Sequence, residues 1–142
     1  MRRGVVVVAV AFAALALAGA ASAAAPNYIL VSGRGLARPI VLGDWNENLR
    51  LLSALATAPR AKPKVVRGLS RRPRFDLAEF WAWSGRPRPT RPSEASQHGT
   101  FYPAHGSSPA VFAVMVDGTR APRIAPVAAL RILARHRVPT RR

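Results

Sequence analysis

Tyr28-Ile29-Leu30-Val31, Ser32-Gly33-Arg34-Gly35, Pro39-Ile40-Val41-Leu42 and Gly43-Asp44-Trp45-Asn46-Glu47 stand almost back to back in the chain. Two short apolar runs flank a glycine turn, and a helix start follows at once. Runs rich in Ile, Val, Leu and Tyr, bounded by turn residues, read as strands. Pro39 leads the second run, a position that suits a strand start or an edge. The pair therefore predicts an antiparallel hairpin. Asp44 is a good N-cap, and Glu47 follows at capping-box spacing, with Asp in the place of Ser or Thr. Beyond it, Asn46, Arg50, Ser53 and Thr57 form one polar line. Trp45, Leu49, Leu52 and Ala56 form an apolar one, widened by Leu51 and Leu55. That 3.6-residue period predicts a helix ended by Pro59, with Trp45 in the core.

Outward from this unit the pattern changes. Residues 60–74 hold Pro63, Gly68 and Pro73 among seven bases and no acid, and read as a loop with a short extended piece. Phe75 to Trp83 carries four aromatic residues that favour strands. Asp76 and Glu79 repeat the cap spacing of a helix, but the strand reading is preferred. Residues 85–92 place proline at nearly every second position and read as an exposed, polyproline-like segment. Thr100-Phe101-Tyr102 reads as a short strand, and Ala110 to Val116 as a buried one before the turn signal Asp117-Gly118. Pro126 suits the first position of a last helix, with Val127, Ala129, Leu130, Leu133 and Ala134 inward. The expected fold is α+β: one small domain, residues 24–142, with about two helices packed on a mostly antiparallel sheet.

Residues 1–23 read as a leader. Met1-Arg2-Arg3 precedes an uncharged apolar run, and Ala21-Ser22-Ala23 offers small residues for cleavage, as in a secretory signal peptide. The alternative is an uncleaved membrane anchor, since the run approaches the ~20 residues that span a bilayer. Both readings place the rest of the chain outside the cytoplasm. Without cysteine there is no disulfide, thiolate metal site or thiol nucleophile.

The charge is the strongest compositional signal. The chain holds 22 Lys and Arg against 6 Asp and Glu, and only Lys62 and Lys64 are lysines. Loss of Arg2 and Arg3 with the leader would leave a formal +14, two below the whole chain's +16. Such a field favours anionic partners: an anionic envelope polymer or lipid headgroup first, nucleic acid second. Arg67, Arg71, Arg72, Arg74, Arg86 and Arg88 are the candidate anion-binding residues. The planar guanidinium fork suits phosphate and carboxylate oxygens.

Catalytic signatures are scarce. Gly33-Arg34-Gly35 follows a strand, but Arg38 replaces the third glycine of a dinucleotide loop, and a strand follows where a helix is needed. No Walker lysine, His-Glu-x-x-His, Gly-x-Ser-x-Gly or Ser-x-x-Lys occurs. Asp44 and Glu47 beside Trp45 resemble a sugar-cleaving carboxylate pair, yet capping and packing account for all three. His98-Gly99 and His105-Gly106 flank the short aromatic strand. With a third ligand from Asp44, Glu47 or Asp117 they could hold a divalent metal. The expected function is a non-catalytic, exported binding protein for anionic partners, with no cofactor. The alternative is a metal-assisted envelope hydrolase using His98 and His105.

Overall fold

The computed structural model describes residues 24–81, 88–116 and 118–142. Residues 1–23, expected to be a leader or anchor, lie outside the described residues, as do Trp83, the start of the proline-rich segment with Arg86, and Asp117. Six strands form one antiparallel sheet in the order β2-β1-β3-β4-β5-β6. They are β1 Tyr28–Ser32, β2 Ile40–Leu42, β3 Phe75–Phe80, β4 Gln97–Tyr102, β5 Val111–Ala113 and β6 Arg123–Ile124. The helices are α1 Trp45–Ala56, α2 Pro63–Gly68 and α3 Val127–Arg135. The α+β expectation holds, with three helices instead of two. β1 and β2 make the expected hairpin, pairing Ile29 with Leu42 and Val31 with Ile40.

The sheet is sided because side chains alternate along each strand. On β3, Phe75 and Leu77 join the main core with Ile29 and Val31 of β1, against Leu51, Leu52 and Leu55 of α1 and Ile132 and Leu133 of α3. Ala78 and Phe80 face the other way and form a small second cluster with Leu30. Tyr28, Val41 and Ala95 pack on that cluster. The strand reading of Phe75 to Trp83 holds over Phe75–Phe80, and Trp81 lies in a turn beyond the strand. Its alternation buries residues on both sides, which blurred the period in the sequence.

Register stacks three phenylalanines across the sheet. Phe75 pairs with Phe101, and Phe101 pairs with Phe112. The ring centroids lie 6.4 and 4.6 Å apart, within the range of favourable aromatic contact. All three are fully buried.

Several local expectations are corrected. Residues 60–74 contain α2 and a 3-10 turn, Leu69–Arg71. Pro63 occupies the first turn of α2, where a missing N–H costs nothing. β4 begins at Gln97, so His98 lies inside a strand and not in the turn before it. The stretch 110–116 is regular only over Val111–Ala113, and the two-residue β6 has no sequence signal. Pro92–Glu94 forms a 3-10 turn, and Pro89 is buried, against the exposed reading of that segment.

Trp45 is 42% exposed, and Asn48 is the buried residue of that turn of α1. The Asn48 amide nitrogen donates to the carbonyls of Pro26 at 3.0 Å and Leu42 at 3.2 Å. Those bonds tie α1 to β2 and to the segment entering β1, and they rotate the helix away from a Trp45-centred contact. Asn48→Leu is expected to destabilise the fold by about 1–3 kcal/mol, because both carbonyls lose their donor; equilibrium urea unfolding measures it. In α3 the inward residues are Ala129, Ile132 and Leu133, while Val127 is 63% exposed and Ala134 is also at the surface. Pro126 is the N-cap, one position earlier than expected.

The two long helices run antiparallel. Asp44 accepts from the Glu47 backbone N–H at 3.1 Å, so half of the expected capping box exists. The Glu47 carboxylate instead meets Arg135 at 2.9 Å and His136 at 2.6 Å, at the C-terminal end of α3. Arg123 donates to the carbonyls of Ala56 and Ala58, supplying from β6 the positive charge that the end of α1 itself lacks.

Glu79 is a carboxyl in the core, 1% exposed, bonded by the Trp81 indole at 2.9 Å. Burial pushes its pKa up, opposed by the indole bond and by Arg120. A raised folded-state value means that the folded protein holds this proton more tightly than the unfolded chain. Its contribution therefore favours folding in acid and is lost as pH rises through the raised value. Glu79→Gln keeps an oxygen for the indole and removes the titration. The variant is expected to melt a few degrees above the parent at alkaline pH and to converge with it in acid, followed by thermal unfolding across pH.

Candidate anion-binding cleft

The arginines gather at one end of the sheet. The hairpin turn brings Arg34, the segment between α2 and β3 brings Arg71, Arg72 and Arg74, and the last residues bring Arg142. With Ser70 and Pro73 they line a cleft of about 510 Å³, and no Asp or Glu is among its described lining residues. Topology explains the meeting. Ser32 pairs with Asp76, so the turn after β1 must lie beside the residues that precede β3.

The C-terminal residues are held by backbone bonds. Ala104 N–H donates to the Thr140 carbonyl at 2.9 Å, and Arg142 N–H donates to the Ala104 carbonyl at 2.8 Å. The Arg142 guanidinium lies over the Phe75 ring, 4.9 Å from its centroid, a cation–π arrangement. It also lies against Gly35, where φ is +95° and a Cβ would collide with the guanidinium. Glycine suits the backbone angle at this position, and a side chain there would push the Arg142 guanidinium aside.

The arginines divide by task. Arg72 turns inward: its Nη2 donates to the carbonyls of Pro103 and, at 2.8 Å, Pro109. Its Nε and Nη1 are buried without a hydrogen-bond partner among the described residues. Desolvation lowers its pKa, opposed by the charge of Tyr102. Arg72 therefore shapes the wall. Arg34, Arg71 and Arg74 are exposed, and among the described residues none of them is ion-paired or hydrogen-bonded through its side chain. Three unpaired guanidinium groups on two segments suit a ligand carrying several oxyanions.

Other expected residues lie elsewhere. Arg67 sits exposed in the last turn of α2, outside the cleft lining. Arg88 borders a different depression, with Arg38 and Arg137. Arg34 and Arg142 were missed by sequence reasoning. The first had a signal, its place in a hairpin turn; the second had none. His98 is exposed on β4, in a shallow depression with Asp76, Thr100 and Arg120. His105 stands in a tight turn with Ser108, its Nδ1 2.9 Å from the Arg142 main-chain oxygen. Among the described residues, no group of three or more His, Asp or Glu is arranged to hold a metal ion, and no helix is long and apolar enough to cross a membrane.

Fold and cleft together define a small basic α+β protein with a cationic end. No family model, curated protein or solved structure matches the chain.

Proposed function

We propose that this protein is a non-catalytic binding module whose arginine cleft holds an anionic polymer outside the cytoplasm, through phosphate or carboxylate groups. The observation that carries this reading is the convergence of Arg34, Arg71, Arg74 and Arg142 on one cleft with no Asp or Glu among its described lining residues. Charge alone would give a diffuse attraction. Convergence adds a place where successive anionic groups of one chain are met by separate guanidinium groups. The leader at residues 1–23 supports the compartment, and an anionic envelope polymer is the partner the charge favours.

The test is retention on immobilised polyphosphate under a salt gradient. The parent protein is expected to elute late and the Arg34→Ser/Arg71→Ser/Arg74→Ser variant early. A control that loses equal charge at Arg38, Arg60 and Arg91 should elute near the parent. Equal elution of the two variants would show that only net charge acts, and would refute the cleft.

A further inference from the structure

A second, more apolar depression lies elsewhere, along the outer surface of α1 and α3. It measures about 710 Å³ and is lined by Ala128, Ile132 and Ala134 with Arg50, Arg131 and Arg135. Its lining surface is mostly apolar. Ala128 lies one turn from Ile132 on the same line of α3, and its small side chain leaves a trough there; Arg131 and Arg135 flank that line on α3, and Arg50 closes it from α1. The Glu47 carboxylate neutralises Arg135. Arg50 and Arg131 have no ion pair or side-chain hydrogen bond among the described residues. Val127, in the first turn of the same helix, adds one of the most exposed large apolar side chains of the described residues.

We infer that this groove binds an anionic lipid, with its acyl chain along the Ala128–Ile132 line and the aliphatic stems of the flanking arginines, and its acidic headgroup on the Arg50 and Arg131 guanidinium groups. A polyanion gains nothing from an apolar floor, and an uncharged hydrocarbon gains nothing from two unpaired guanidinium groups. A molecule with both parts uses both. Apolar contact contributes in proportion to the area removed from water, and the cationic rim adds attraction to the headgroup that salt screens. The groove is distinct from the cleft, and the inference does not depend on the polymer reading. Lipid affinity should survive loss of the cleft arginines, and polyphosphate retention should survive filling of the groove.

The experiment is calorimetric titration with dodecyl phosphate below its micellar concentration, beside inorganic phosphate and dodecyl maltoside. Dodecyl phosphate should bind with one-to-one stoichiometry, and either control should bind at least roughly tenfold more weakly. Ala128→Trp fills the trough at an exposed helix position, and Arg50→Gln/Arg131→Gln removes the rim charges. Each should weaken dodecyl phosphate by roughly tenfold or more, while Arg71→Ser/Arg74→Ser leaves it unchanged. Unaltered binding in Ala128→Trp would overturn the inference, as would loss of binding in Arg71→Ser/Arg74→Ser. Sedimentation of the unliganded protein checks for another occupant: a dimer that Ala128→Trp dissociates would assign the groove to a second copy of the chain and refute the lipid. Circular dichroism confirms that each variant is folded.

Discussion

Replacing Phe101 with alanine is expected to destabilise the protein by about 3–5 kcal/mol, lowering the melting midpoint by more than about 10 °C. The size follows from its position. Phe101 is fully buried in β4 and pairs with Phe75 on one side and Phe112 on the other. Truncation leaves a cavity at the middle of the ladder, and two strands on either side hinder its collapse. Both flanking rings lose their aromatic neighbour at the same time. The effect reaches the cleft, because Phe75 is the ring beneath the Arg142 guanidinium. Phe101→Leu refills most of the volume and should recover more than half of the loss. Thermal and urea unfolding measure both variants; a loss below about 1 kcal/mol for Phe101→Ala would contradict the packing described.

The second large effect concerns binding. Removing Arg34, Arg71 and Arg74 is expected to reduce the slope of log affinity against log salt for polyphosphate by on the order of 2, since each phosphate contact contributes roughly 0.7–0.9. Near-physiological salt should then show a loss of at least roughly tenfold. The fold should tolerate these changes, because the three side chains are exposed and Arg72, which clamps the carbonyls of Pro103 and Pro109, is left in place. Arg72→Ser is a different experiment. It withdraws a donor from two carbonyls at opposite ends of the β4–β5 connection and should cost about 1–3 kcal/mol of stability, so reduced binding in that variant reports on cleft shape. Fluorescence anisotropy with labelled polyphosphate at several salt concentrations, beside thermal melts, separates the two.

The elements most legible in the sequence were those built from one buried face. α1 showed its period because Leu51, Leu52 and Leu55 are all on the core side, and the β1–β2 hairpin announced itself through its glycine turn. Legibility failed where a polar residue took an inward position for its hydrogen bonds, as with Asn48 and Trp45. It failed again where Pro63 started a helix inside a basic stretch. β6 is only two residues long and exists because Arg123 and Ile124 pair with Phe112 and Val111 of β5; nothing local marks it. The cleft was half legible. Charge density pointed to 71–74, but it could not separate Arg72, whose work is structural, from Arg71 and Arg74. Nor could it place Arg142, which reaches the cleft only through the pairing of 140–142 with Ala104. Contiguity in sequence also grouped Arg67 and Arg88 with the cleft, although the chain carries them to other surfaces.

The claim that matters most is that binding is localised. Titration of isotopically labelled protein with short-chain polyphosphate, followed by backbone and arginine side-chain NMR, reads it residue by residue. Saturable shifts confined to Arg34, Arg71, Arg74, Arg142 and the Gly33–Gly35 turn are the predicted result. Small, unsaturated shifts spread evenly over arginines on every surface would contradict it.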